Sequence, residues 1–257
     1  DKKGLDIRAS AIAALRPYLH RVTDARLNLP AIFQKTMRFN ARMDQSEVKK
    51  YNSDLHIARK LRLDMETTNA RKKGEFQKLM AKLTKMQQRI VSPLLADRSA
   101  EEFENHPELV EEAIATETGS LRALKKALLE LRGKGCERVV IAADQVQMLV
   151  IAEAYLCDQV KKQQLDAEDV GDHIQFIGSL SERKRAEAKY RFLSAPGNST
   201  LFLSILAGGV GLHLVGNPSL PGRPSQKSGI IFWGASPYSP AQTWQALKRL
   251  HRLGQKH

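Results

Sequence analysis

Cysteine is nearly absent. Only Cys136 and Cys157 occur in 257 residues, one just before an expected strand and one near the end of the next helix. That placement gives no support to a disulfide framework and fits a reducing compartment. No apolar run is long enough to cross a bilayer, so no membrane partner is expected. The start, Asp1-Lys2-Lys3-Gly4, has neither an initiator methionine nor a signal-peptide pattern, and we expect a piece of something larger. His213 and His251 have no second ligand at metal spacing, so no metal site is expected. There is also no Gly-x-x-x-x-Gly-Lys-Ser/Thr loop and no acidic magnesium-binding motif, so the chain alone is not expected to hydrolyse a nucleoside triphosphate.

What the chain does have is positive charge, with a formal net of +13. Residues 1–90 carry 21 Lys/Arg against 9 Asp/Glu, residues 91–118 carry 1 against 8, and residues 119–257 carry 19 against 11. Two basic blocks separated by an acidic run point to a polyanionic partner, with a solvated segment between. The length suits one large domain or two modest ones.

The pattern changes along the chain. Residues 7–19 read as a helix broken at Pro17, and residues 31–43 are ambiguous between strand and helix. Residues 46–92 read as helical, with Leu55, Leu61, Met65, Leu79, Leu83 and Ile90 in an apolar stripe and Gly74 as the weak point. Residues 96–118 read as an acidic loop with one short helix, and the domain seam is placed there: 1–118 as a helical region, 119–257 as an α/β lobe. From Ser120, taken as a helix cap, helices alternate with short buried strands. The expected strands are 138–143, 173–177, 201–204 and 229–233, and the expected helices are 120–131, 145–155 and 182–193. Such alternation makes a doubly wound α/β domain with a parallel sheet, whose ligands belong at the carboxyl ends of the strands.

Two stretches carry chemistry. Ala207-Gly208-Gly209-Val210-Gly211 supplies glycines that let backbone N–H groups approach a phosphate closely, although a tight turn needs the same residues. Near the end, Arg249 and Arg252 share one helix face, with Gln245 a turn earlier and Gly254 as the stop. Forked guanidinium groups suit phosphate oxygens, and a solvated basic helix end has the same look.

Order and spacing single out a family. Gln245-Ala246-x-x-Arg249-x-His251-Arg252-x-Gly254-Gln255 resembles motif VI of the Swi/Snf-type ATPases of helicase superfamily two. Ser204, Ala207, Gly208, Gly209, Gly211 and Leu214 resemble their motif V. Val139 to Leu156, with Gln145-Val146-Gln147-Met148-Leu149, resembles motif IV, and Gly178-Ser179 with Arg185 and Phe192 resembles the segment after it. Leu15-Arg16-Pro17-Tyr18-Leu19 looks like the entry to the second lobe. The chain departs from the pattern at Ile205, Leu206 and His213 in motif V, at Asp144 where a serine is common, and at Ser92 where a histidine usually stands. Residues 215–228 are longer than the family pattern there.

The resemblance implies an α/β fold: a RecA-like parallel sheet flanked by helices, preceded by a mainly α-helical protrusion. It implies ATP hydrolysis with Mg2+ at a cleft between two lobes, the first of which is absent here, coupled to movement along double-stranded DNA, with nucleosomes as a possible substrate and the nucleus as the compartment. Arg249 and Arg252 would be arginine fingers. Gln245, Gly209 and Gly211 would contact the nucleotide, and Ser179, Arg185, Ser204, Gly208 and Gln145 would contact nucleic acid. The other reading is a degenerate lobe that binds DNA or protein without turnover.

Overall fold

A computed structural model describes residues 45–67, 73–205, 214, 227–234 and 248. The expected elements at 7–19 and 31–43, most of the motif V loop, the 215–226 stretch and all of motif VI apart from Lys248 lie outside these residues.

Two long helices come first, α1 (Gln45–Thr67) and α2 (Lys73–Val91). Gly74 lies inside the first turn of α2 rather than at a break. The helices pair in opposite directions: Arg89 meets Glu47 at 2.7 Å while Lys82 meets Asp54 at 2.7 Å. Arg89 also reaches Asp97 at 3.0 Å, so one buried guanidinium binds α1, α2 and the next short helix together.

The acidic stretch departs from the sequence reading. Instead of a loop with one helix it holds three short helices, α3 (Pro93–Asp97), α4 (Ala100–Asn105) and α5 (Glu108–Ala115). The local reason is capping. Ser99 accepts from Glu102 N–H while the Glu102 carboxylate accepts from Ser99 N–H, and glutamates in first turns face the positive end of the helix dipole. Phe103 then drops into the core beside Val91 and Leu95.

The lobe follows: α6 (Gly119–Gly133), β1 (Arg138–Ala143), α7 (Val146–Lys161), α8 (Ala167–Val170), β2 (Asp172–Phe176), α9 (Glu182–Ser194), β3 (Ser199–Ser204) and β4 (Ser228–Phe232). Thr118, not Ser120, caps α6: its hydroxyl accepts from Leu121 N–H and donates to the Val91 carbonyl. The four described strands are parallel, in the order β2-β3-β1-β4. An α/β architecture with a parallel sheet, preceded by helices, is what the alternating pattern implied.

Burial on both faces explains the apolar strands. Val139, Ile141 and Ala143 of β1 pack with Leu121, Leu124 and Leu128 of α6 and with Leu149 and Ile151 of α7. The intervening Val140 and Ala142 pack with Leu201 and Leu203 of β3 and with Phe192 of α9. A strand of alternating side-chain direction has no polar face left when helices cover both sides.

Two arginines fasten the amino end of the sheet. Arg138, 1% exposed, donates to the carbonyls of Ala195 and Gly197 at 2.5 Å each. Arg132 donates to the carbonyls of Cys136 and Asp169 at 2.7 Å and to Thr200 Oγ1 at 3.0 Å. Burial draws its pKa down to about 10. These cations serve the fold at the end remote from the expected ligand site.

Candidate nucleic-acid interface

At the carboxyl ends of β1, β2 and β3 lies an open cleft of about 510 Å³. Asp144 and Gln147 enter it from the β1–α7 junction, Ser179 from the turn after β2, Arg185 from α9 and Ser204 from the end of β3. Glu104 of α4 lines it from outside the lobe sequence. Parallel strands put their carboxyl ends on one edge, so residues far apart in sequence converge there.

Each side chain has a local cause for its position. Ser181 caps α9 by accepting from Lys184 N–H at 3.4 Å, which starts the helix just beyond Ser179. One turn on, Arg185 Nη2 donates back to the Gly178 carbonyl at 2.5 Å. The arginine thus holds the Gly178-Ser179 turn as well as lending its charge to the cleft. Ser204 is buried at the end of β3, and Ile205 N–H continues the sheet onto the Ala143 carbonyl at 3.0 Å. Asp144 is half-buried, and that burial pushes its carboxyl pKa upward.

Gln145 stands apart from this group. It is the N-cap residue of α7 but makes no side-chain cap; its Oε1 accepts from Gln88 Nε2 of α2 at 2.7 Å. Beside it, Met148 packs against Gly234, where β4 has just ended. Gly234 has φ +87°, and an added Cβ would lie 2.6 Å from Met148 Sδ. The α2 end, the α7 start and the exit from β4 therefore meet at one point.

Of the residues expected to contact nucleic acid, Ser179, Arg185 and Ser204 come together in the cleft, and Gln145 sits beside it facing α2. Gly208 lies outside the described residues, as do Gly209, Gly211, Gln245, Arg249 and Arg252. Sequence reasoning did not find Glu104 or Gln88. The Ser99-x-x-Glu102 box could have found the helix that carries Glu104, though not its place against the cleft. Among the described residues no group of three or more His, Cys, Asp or Glu could hold a metal ion, and no helix is long and apolar enough to cross a membrane.

The sheet, its helices on both faces and the cleft at its carboxyl edge define a RecA-like α/β lobe. No protein-family profile matches the chain. Human chromodomain-helicase-DNA-binding protein 1 is 29% identical over 252 residues, covering 96% of this chain. The chromatin-remodeling ATPase INO80 of Saccharomyces cerevisiae is 29% identical over 140 residues, 54% of this chain. Among solved structures, the C-terminal part of the Fun30 ATPase domain is similar in fold with a TM-score of 0.51 at 19% identity, covering 84% of this chain and 80% of that one. The likeness to Swi/Snf-type ATPases carried by the motifs is thus borne out, and the chain is similar in fold to a C-terminal lobe of such an ATPase domain. It spans only 13% and 8% of the two curated relatives' lengths.

Proposed function

We propose that this chain is the C-terminal lobe of an ATP-dependent double-stranded-DNA translocase of the chromatin-remodelling type. The observation that carries the reading is the convergence of Ser179, Arg185 and Ser204 in one cleft at the carboxyl ends of parallel strands. Hydroxyls and an anchored guanidinium suit a backbone phosphate, which positions a duplex without reading its sequence.

In this reading ATP is the substrate, bound between this lobe and the first RecA-like lobe of the same parent, which also holds most of the Mg2+ coordination. Arg249 and Arg252 follow β4 in the chain and reach the terminal phosphates as arginine fingers, a contribution of about a thousandfold or more in related phosphoryl transfers. Gln245 seats the nucleotide. Gly208, Gly209 and Gly211 join DNA contact to that site as the cleft closes. Residues 1–118 serve as the protrusion and lead-in, residues 119–257 as the lobe proper. The lobe alone does not turn over. The parent acts on DNA in the nucleus, with nucleosomes as a substrate.

A second reading is a lobe that binds DNA or protein without turnover. Asp144 in the cleft and Ile205 in motif V favour it. The deciding experiment measures ATPase turnover of the full-length parent with and without double-stranded DNA, for wild type and Arg252→Ala. DNA-stimulated turnover that collapses in the variant supports the translocase. Turnover that is absent, or indifferent to Arg252, leaves the binding module.

A further inference from the structure

The cleft has an unfavourable charge balance for its proposed ligand. Among the described residues Arg185 is the one lining cation, and it faces two carboxylates, Asp144 and Glu104. Neither carboxylate is placed by accident of a floppy surface. Asp144 is fixed between the end of β1 and the N-cap of α7. Glu104 follows Phe103, which is buried in the core, on a helix whose start is locked by the reciprocal Ser99–Glu102 cap. A phosphate entering the cleft therefore meets two carboxylates whose backbone positions are set by the fold.

We propose that Glu104 and Asp144 are specificity-determining carboxylates that hold down the cleft's affinity for a DNA phosphate, with α4 acting as an acidic guard over the strand ends. The inference rests on the reading of the cleft as a phosphate site. Like charges brought together in a partly desolvated cleft oppose binding, and the opposition is screened as salt rises. The guard comes from the 91–118 stretch, whose 8 acidic residues stand against 1 basic one between two basic blocks. An acidic helix thus lines the cleft of a chain whose formal net charge is +13.

The test measures binding of a short fluorescent DNA duplex by fluorescence anisotropy, over a salt series, for the wild-type chain, Glu104→Gln, Asp144→Ser and the double variant. Glu111→Gln, an exposed change in the same acidic stretch but outside the cleft, controls for net charge. Each cleft variant is expected to tighten binding by about threefold to tenfold at low salt, the gap narrowing as salt rises, while Glu111→Gln changes it less than about twofold. Tightening is not an outcome that misfolding produces. Cleft variants that bind no better than Glu111→Gln overturn the guard. If no protein in the series binds the duplex, the phosphate reading fails, and the guard with it.

Discussion

Gln88 Nε2 donates a 2.7 Å hydrogen bond to Gln145 Oε1, joining the last turn of α2 to the residue at the N-cap position of α7. The two side chains are separated in sequence by the whole acidic stretch, α6 and β1. Their contact, with Val91 and Met148 packed against Gly234 beside it, makes the helical hairpin and the start of motif IV one mechanical unit. Gln88→Ala is expected to cost about 1 kcal/mol in urea unfolding. Gln88→Glu should cost less, because the Gln145 amide can turn and donate to the new carboxylate. Equal losses for the two variants would show that the hydrogen bond contributes nothing.

Arg89 supports a second tie. Its guanidinium, 5% exposed, is shared by Glu47 and Asp97 from helices on either side. Arg89→Ala removes the buried guanidinium and leaves Glu47 to the half-exposed Lys50 at 3.0 Å, and a loss of about 2–3 kcal/mol is expected. Arg89→Met, which fills the space yet leaves the same carboxylate, should recover little. Denaturant unfolding of both variants checks this, and a mild loss in Arg89→Ala would refute it.

The same tie has a pH signature. Burial pushes the Asp97 carboxyl up, but hydrogen bonds from Arg89 and Lys50 outweigh it and hold the group below its ordinary value. A depressed folded pKa means the stabilisation is present above the unfolded value near 3.9 and is lost as pH falls through the folded one. Asp97→Asn should therefore lower the melting temperature at pH 7, and the difference from wild type should close as pH drops below about 4. A difference that persists unchanged at pH 3 would assign the effect to something other than ionisation.

Arg185 is expected to matter in two ways. Arg185→Ala removes a cation from the cleft and releases the Gly178 carbonyl, so duplex DNA should bind more weakly and the slope of log affinity against log salt should shallow by about 1. Arg185→Lys keeps charge but not the fork, and should retain the slope better than the affinity. An unchanged slope in Arg185→Ala would remove this residue from the interface.

Gly234 tests the junction from its other side. Its φ of +87° disfavours any L side chain, and a Cβ would press on Met148 Sδ. Gly234→Ala should destabilise the chain by about 1–2 kcal/mol, with only partial relief from Met148→Ala, since the backbone strain stays.

How much of this was legible follows from the forces involved. Arg138–Ala143 was readable as a strand to the residue, because burial on both faces leaves an uninterrupted apolar run. The helix after it was read as ending at Tyr155 yet runs to Lys161. Gln159 hid the continuation: it is a polar residue on the buried face, accepting from Lys125 Nζ at 2.5 Å. Three helices of five to eight residues in the acidic stretch are too short to show a period, and only the Ser99–Glu102 box betrays one of them. Ser179, Arg185 and Ser204 were expected from the family resemblance, and their place at the carboxyl ends of the strands agrees with the parallel-sheet rule. Glu104 and Gln88 did not, because nothing local in a sequence says where a surface helix will dock.

The strand order carries a consequence for how this lobe is made. Among the described strands β1 comes earliest in the chain and takes β3 on one side and β4 on the other, and β4 comes latest. Until Ser228–Phe232 leaves the ribosome, one edge of the most apolar strand in the sheet has its N–H and C=O groups open to any passing chain. The described sheet is therefore closed only after β4 is made, when Trp233 N–H reaches the Ala142 carbonyl. A nascent or proteolysed lobe lacking that strand presents a sticky template rather than a smaller folded domain.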